Sequence, residues 1–322
     1  MQPGCCCTIQ NAKALNFTPI QMADRDWVQA LISAGNSRSS DWCFSNIYGW
    51  NEPDCPRQVT QMDGRLGLKL CYRGEMVHSF PVGQGDLRPA VAGLCADALA
   101  EGIPLRMRGL TEQHKAQLEE VCPNQFDYIL DENAHDYIYE AEKLATLAGK
   151  KLHAKRNHIN RFLEQNPNWC FEPITATTLP ECVQMNAEWM AQNEERGDFS
   201  YEQLVLRRVF TNFEALKLEG GLLRITSGDF DSEGGRVIAY TIGERLNDDT
   251  YIVHFEKAFG EIQGAYPLIN REFVRRILEQ YPEIRYINRE DDMGIESLRK
   301  AKMSYYPAFL LQKYIAVWKN TE

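Results

Sequence analysis

No apolar run in the chain approaches the ~20 residues needed to cross a bilayer, so no integral membrane segment is expected. The polar opening MQPGCCCTIQ lacks the hydrophobic stretch of a secretory leader, and a cytoplasmic protein is expected. No hydrophobic segment precedes Cys5-Cys6-Cys7, which favours an incidental tail over a lipid attachment site. Cys43, Cys55, Cys71, Cys95, Cys122, Cys170 and Cys182 are scattered without a C-x-x-C pair. That spacing indicates neither a zinc site nor a disulfide framework, so the expectation is no metal and a reducing compartment. Positive charge is also short, with 35 Lys and Arg against 45 Asp and Glu, a net charge of −10. Such a balance excludes a general nucleic-acid-binding surface. What remains is ordinary globular composition, 44% apolar and 25% charged, in 322 residues, enough for two domains.

The densest structural signals lie between Val237 and Gln280. Val237 to Glu244 and Thr250 to Phe259 are rich in β-branched and aromatic residues, and Leu246-Asn247-Asp248-Asp249 between them is turn material. Alternation in the second run puts Tyr251, Val253, Phe255, Lys257 and Phe259 on one face and Ile252, His254, Glu256 and Ala258 on the other. A His and a Glu on one face of a buried strand mark a candidate site; a histidine hydrogen-bonded within a core is the plainer alternative. Gly260-Glu261-Ile262-Gln263-Gly264-Ala265-Tyr266 follows, and Pro267 is placed to open a helix with the stripe Ile269, Phe273 and Ile277. A small-residue loop before a helix turns N–H groups and the helix dipole toward an anion. Equally, such glycines can simply turn the chain. Glu283 to Asn288 reads as a strand and Asp291 or Asp292 as the cap of a helix from about Gly294 to Lys302. Phe309 to Trp318 reads as one long final strand.

The first half repeats this order: strands at Leu66 to Tyr72 and Met76 to Val82, then Gly83-Gln84-Gly85-Asp86 and a helix carrying Val91, Leu94 and Ala98. A strand at Leu105 to Met107, a helix at Thr111 to Glu120 and a strand at Asp127 to Leu130 complete it. Two copies of one order imply duplication, with domains expected at residues 1–148 and 149–322. The aromatic stretch from Asp41 to Trp50 is either a core-packed loop or the wall of a cleft. Residues 150–165 read as a linker helix with Leu152, Ile159, Phe162 and Leu163 on its apolar stripe. Lys150, Lys151, Lys155, Arg156 and Arg161 surround it, as a solvated face or as a contact for phosphate on a nucleotide or RNA. Glu172 to Leu216 reads as mostly helical with a break at Gly197 to Ser200, and Ser227 to Gly235 as a polar hairpin loop.

Strand, strand, glycine loop, helix, strand, helix, strand resembles the acyl-CoA-binding half of the GNAT superfamily. Three segments, SSDWCFSNIYGWNE, KKLHAKRNHINRF and INREDDMGIESLRKAKMSYYP, carry a more specific likeness. They resemble proteins similar to the C-terminal domain of phosphatidylglycerol lysyltransferases, a family that belongs with the Fem-type peptidyltransferases as paired GNAT folds. The likeness runs from about Asp41 to Trp318. It implies a mixed α/β (α+β) architecture of two GNAT-like domains in tandem, each a twisted mixed sheet flanked by helices.

The resemblance also implies acyl transfer, in which an amine or hydroxyl acceptor, small molecule or peptide, attacks the carbonyl of a coenzyme A thioester or an aminoacyl-tRNA. Glu256 and His254 are then the candidate bases. Tyr305, beside Tyr306 at the end of the last helix, is the candidate acid. A cofactor pyrophosphate would lie on Gly260, Gln263, Gly264, Ala265 and Tyr266, near Asn288. Phe44, Asn46, Trp50, Glu290 and Asp291 are the candidate acceptor contacts, and Lys150, Lys151, Lys155 and Arg156 the candidate tRNA contacts. The membrane lysyltransferases carry a multi-helix membrane region that this sequence does not show, which leaves a lipid acceptor open. A non-catalytic ligand-binding module on the same fold is the alternative, and Asp86 in the first glycine loop would repel phosphate there.

Overall fold

The structure is a computed structural model describing residues 12–193, 200–226 and 235–319. The chain forms two compact units. The first takes the chain as far as Asp136, with Asp291–Gly294 and the residues from Leu311 onward. Its strands are β1 (Thr18–Pro19), β2 (Gln58–Met62), β3 (Arg65–Tyr72), β4 (Glu75–Ser79), β5 (Arg106–Leu110), β6 (Phe126–Leu130) and the last strand of the chain, β14 (Tyr314–Trp318). They form one mixed sheet in the order β1-β2-β3-β4-β5-β14-β6. The helices are α1 (Arg25–Gly35), α2 (Phe44–Gly49), α3 (Leu87–Ala100) and α4 (Glu112–Val121). Thr111 starts α4: its Oγ1 accepts the His114 N–H while His114 Nδ1 accepts the Thr111 N–H, a reciprocal cap that satisfies two end donors.

The second unit runs from Tyr137 to Glu290 and from Ile295 to Leu310. Its strands are β7 (Asp136–Glu140), β8 (Trp169–Pro173), β9 (Glu219–Ile225), β10 (Arg236–Arg245), β11 (Thr250–Ala258), β12 (Tyr286–Asn288) and β13 (Phe309–Leu311), in the order β13-β7-β12-β11-β10-β9-β8. Its helices are α5 (Ala141–Thr146), α6 (His153–Gln165), α7 (Leu179–Asn193), α8 (Ser200–Thr211), α9 (Ala265–Gln280) and α10 (Glu296–Met303). Ile269, Phe273, Val274 and Ile277 bury one face of α9, as the 3.6-residue period requires. β11 pairs in parallel with β12 from Thr250–Tyr286 to Ile252–Asn288 and no further. β11 then continues to Ala258 against β10, without β12 beside it. That parting of two parallel strands is what positions the site.

Several boundaries differ from the sequence expectation for physical reasons. The residues read as one final strand form two, β13 in the second sheet and β14 in the first, separated by Gln312 and Lys313. Lys313 causes the break. Its ammonium is buried in the first unit, 2.9 Å from Asp41 Oδ2, 2.8 Å from Asp136 Oδ1 and 3.0 Å from Ser40 Oγ. The chain passes between units at Asp136–Tyr137 rather than at 148/149, because β7 pairs with β12. Asp291 and Asp292 do not cap α10, whose N-cap is Ile295. Instead they close turns by accepting the Met293 and Gly294 N–H groups. Part of the aromatic stretch folds as α2, with Phe44 and Ile47 buried. Strand β8 precedes the helical region that was expected from Glu172 onward. Cys5 to Cys7, residues 197–199 and most of the loop expected at 227–235 lie outside the described residues. Cys43, Cys55, Cys71, Cys95, Cys122, Cys170 and Cys182 are free thiols. Among the described residues no helix is long and apolar enough to cross a membrane.

Candidate active site

Beyond the last β11–β12 pair, side chains from β11, α9, α6, the end of β12 and the turn after α10 converge. Glu256 is nearly buried, and its Oε1 accepts from Arg289 Nη2 at 2.8 Å while its Oε2 accepts from Asn270 Nδ2 at 3.1 Å. Burial works against the Arg289 charge, but Glu256 together with Tyr139 and Tyr305 outweighs it and raises the guanidinium pKa. Arg289 lies 5.0 Å from the Tyr305 ring centroid and hydrogen-bonds that side chain. Burial pushes the Tyr305 phenol well above the ordinary tyrosine range, although Arg289 pulls the other way. The phenol therefore stays protonated. Lys155 Nζ sits 4.1 Å from the same ring centroid, and its pKa is lowered by burial and by the neighbouring Arg289 charge. Behind them Lys302 Nζ donates to the Arg289 carbonyl at 2.6 Å, and the Tyr139 hydroxyl donates to the Lys302 carbonyl at 2.8 Å. These bonds hold the chain at Arg289 and at the end of α10.

Two buried polar atoms here have no partner, Arg289 Nη1 and Asn270 Oδ1. One is a donor and the other an acceptor, on the two side chains that grip one carboxylate. A buried hydrogen-bonding atom left unmatched costs about 1–3 kcal/mol, and buried polar atoms are satisfied in the great majority of cases. The arrangement fits a group that arrives with an acceptor and a donor of its own.

His254, two residues before Glu256 on the same face, is fully engaged. It donates through Nδ1 to Glu290 Oε1 at 2.8 Å and through Nε2 to Glu244 Oε1 at 3.0 Å. Burial disfavours its charge, but the hydrogen bonds to Glu244 and Glu290 prevail and raise its pKa to about 9. At neutral pH the ring is a cation with no lone pair to receive a proton. It holds Glu290, which follows Arg289 directly at φ 57 and donates its N–H to Asn288 Oδ1 at 2.7 Å. The sign of the linkage follows. A histidine whose folded pKa exceeds its unfolded ~6.5 adds stability in full below ~6.5, and loses it as pH rises through about 9. The contribution is on the order of 3 kcal/mol. The melting temperature of the wild type is expected to fall from about pH 7 to beyond pH 9 more steeply than that of His254→Gln, as measured by scanning calorimetry.

The first turn of α9 offers little to an anion. α9 begins at Ala265, with Gly264 as a left-handed N-cap, so Pro267 is the third helical residue rather than the first. Ala265 donates its N–H to Ile262, Leu268 donates to Gly264, and Pro267 has none to give. Of the first three helical positions only Tyr266 offers an N–H. Gly264 is buried at φ +94, and a Cβ there would stand 2.4 Å from the His158 carbonyl oxygen and 2.8 Å from Phe162 Cβ. The α6 helix thus packs directly on the loop. Gly260 and Gln263 are exposed. The Tyr266 phenol hydrogen-bonds toward Ala258 and Trp189, and burial raises its pKa.

The expected tRNA contacts divide. Arg156 caps α5 by donating to the Leu147 and Gly149 carbonyls, and Lys155 turns inward to Tyr305. Lys150 and Lys151 are exposed, and an open depression of about 470 Å³ is lined by Gly149, Lys150, His153 and Arg156. Phe44, Asn46, Trp50 and Asp291 belong to the first unit, not to the unit that carries Glu256. Phe44 is core, and Asn46 donates to the Ser40 carbonyl at 2.9 Å. The first glycine loop is satisfied internally: Gln84 and Gly85 both donate N–H to the Gly64 carbonyl, and Asp86 accepts from Arg88 N at the start of α3. Sequence reasoning did not single out Arg289 or Asn270. The available signal was a cation one residue past a strand that parts from its parallel neighbour.

Two mixed seven-stranded sheets flanked by helices, each with a parallel pair at its centre, define a tandem GNAT-type protein. The family model for the phosphatidylglycerol lysyltransferase C-terminal region matches residues 36–317, and the chain belongs to that family. A crystal structure of a conserved protein of unknown function from Bacteroides thetaiotaomicron is 40% identical, covers 95% of this chain and 100% of its own, and superposes with a TM-score of 0.85. The C-terminal domain of a protein described as a lysylphosphatidylglycerol synthetase, from Agrobacterium fabrum, shares the fold at 13% identity and TM-score 0.63, over 93% of each chain. FemX does so at 11% identity and TM-score 0.57, over 95% of this chain and 98% of its own. An uncharacterized protein of Mycoplasmoides gallisepticum is 26% identical over 196 residues, 58% of this chain and 57% of that protein. The match therefore spans a little over half the length of that curated relative. Family and fold together support an acyltransferase of the GNAT and Fem type.

Proposed function

We propose that the chain transfers an aminoacyl group from a charged tRNA to an amine or hydroxyl acceptor at the Glu256–Arg289 centre, in the cytoplasm where charged tRNA is found. The observation that carries this reading is the unmatched pair Arg289 Nη1 and Asn270 Oδ1 beside one buried carboxylate. Arg289 Nη1 suits the ester carbonyl oxygen, where negative charge grows during attack. Asn270 Oδ1 and Glu256 suit the N–H or O–H of the acceptor, and Glu256 takes its proton. As the acceptor atom bonds to the carbonyl carbon, the bond from that carbon to the ribose oxygen breaks. The departing oxygen takes the Tyr305 proton. Arg289 and Lys155, both against the ring, stabilise the transient phenolate, which regains its proton from Lys155. His254 serves by holding Glu290 and, through it, the chain at Arg289.

The start of α9 supports an RNA-borne donor over coenzyme A, because Gly264 is buried against α6 and, of the first three helical positions, only Tyr266 offers an N–H. Exposed Lys150 and Arg161 on and before α6 suit a phosphate backbone. Charged tRNA is expected to raise the melting temperature, less so at moderate salt and less so in Lys150→Glu/Arg161→Glu, while coenzyme A and acetyl-CoA leave it unchanged. A shift with coenzyme A that survives moderate salt would exclude this donor. Substituting Gly264 is no test of ligand binding, since any side chain there collides with α6.

A further inference from the structure

We propose that Cys55 and Cys71 form a modification site in the first unit, a thiol pair that a small disulfide compound converts into an intramolecular disulfide. β2 and β3 run antiparallel, and their ladder ends at the Gln58–Lys69 pair. Cys55 stands three residues before Gln58 and Cys71 two residues after Lys69, so the register brings both to one end of the strand pair. There the Cys55 sulfur meets Cys71 twice, in a hydrogen bond with its side chain and another with its backbone. Cys71 is held on β3 by its pairing with Met76 of β4. Cys55 lies between α2 and β2, outside any strand, so no ladder holds its sulfur away from the other. Close approach of the two sulfurs is the first requirement of a disulfide.

Access singles out this pair among the described cysteines. Cys55 and Cys71 are half-buried, whereas Cys43, Cys95, Cys122 and Cys182 are buried. Cys170 is half-buried as well, but its thiol donates to Glu172 Oε1 at 3.1 Å. Burial, then the Cys71 sulfur and the Glu52 charge, push the Cys55 thiol up to about 11. Cys55 is therefore the protonated partner, and Cys71, as its thiolate, is the sulfur that attacks. Attack on one sulfur of the small disulfide forms a mixed disulfide on Cys71 and releases the first small thiol. Cys55 then gives up its proton and attacks the Cys71 sulfur, and the mixed S–S bond breaks to release the second. Two protein thiols are oxidised, and one small disulfide is reduced to two thiols. Excess small thiol drives the same steps backward. A transient disulfide of this kind is compatible with a reducing compartment. The site stands apart from the acyl-transfer reading, since exchange requires no turnover.

The test treats the reduced full chain with glutathione disulfide, blocks the remaining thiols with N-ethylmaleimide and maps the peptides by mass spectrometry. A Cys55–Cys71 cross-link is expected in the wild type, reversed by dithiothreitol. The oxidised form should melt at a higher temperature, because the bond closes a loop of roughly 15 residues. Cys55→Ser is expected to stop at the first step and keep glutathione on Cys71. Cys71→Ser should carry about tenfold less on Cys55 after the same exposure. Glutathione retained on both sulfurs of the wild type, a bond from either cysteine to a different one, or full N-ethylmaleimide labelling of both after treatment overturns the proposal. So does a folded Cys55→Ser that takes up no glutathione at Cys71. The wild-type peptide map decides the matter even where a variant fails to fold.

Discussion

Replacing Arg289 by methionine is expected to slow acyl transfer by about 10²–10³-fold, the usual loss when a donor to a developing oxyanion is removed. The same change strips Glu256 of its cation and leaves a carboxylate 7% exposed with only Asn270 as partner. Breaking a buried ion pair from one side costs about 3–5 kcal/mol, so lost activity in Arg289→Met alone would be ambiguous. The double variant Glu256→Gln/Arg289→Met removes the charge imbalance. It should regain most of the stability in urea denaturation and remain inactive. A folded double variant with near wild-type transfer would show that the chemistry happens elsewhere.

The largest stability effect is expected at Lys313. It is 1% exposed and touches Asp41, Asp136 and Ser40 together. Burial alone would raise the Asp41 pKa, but Lys313 and then Arg108 more than reverse this and hold the carboxyl well below the usual range. In Lys313→Met the side chain keeps its apolar stem as far as Cε while two buried carboxylates lose their shared cation. The expected loss is about 3–5 kcal/mol at neutral pH. Asp41, whose folded pKa is depressed in the wild type, would no longer be so strongly depressed, so part of the loss should be regained as pH falls and the carboxylates protonate. Urea denaturation at neutral and mildly acidic pH measures both. A loss under about 1 kcal/mol would mean that the cluster is screened like a surface ion pair.

The features legible in the sequence are those written in local periodicity. Strict alternation placed His254 and Glu256 on one face of β11, and the apolar stripe of α9 followed from its 3.6-residue spacing. The family likeness supplied the tandem architecture. What stayed hidden depends on partners far apart in the chain. Glu256 finds Asn270 and Arg289 14 and 33 residues away, and His254 finds Glu244 and Glu290 10 and 36 residues away. No window short enough to read a period reaches Arg289 or Glu290, and the nearer partners lie on other elements, where periodicity within one element does not pair them. Asn270 also sits among the buried residues of α9, where one amide in an apolar stripe carries no distinct signal. Phe309 to Trp318 looked continuous because both parts are β-rich. Only the buried partners of Lys313, 177 to 273 residues away, explain why it splits between two sheets. Lys155 was grouped with its basic neighbours on α6, and three-dimensional packing alone turns it to Tyr305.

The account stands most directly on whether the Glu256–Arg289 centre acts on an aminoacyl ester. The decisive measurement follows label leaving tRNA charged with radioactive amino acids, in the presence of an added small amine as acceptor, with and without the purified protein. Faster release with the wild type than with Glu256→Gln/Arg289→Met, at equal protein stability, is the predicted result. Release no faster than the uncatalysed rate, together with stabilisation of the protein by acetyl-CoA, would contradict the account and return the loop at Gly264 to the role of a cofactor site.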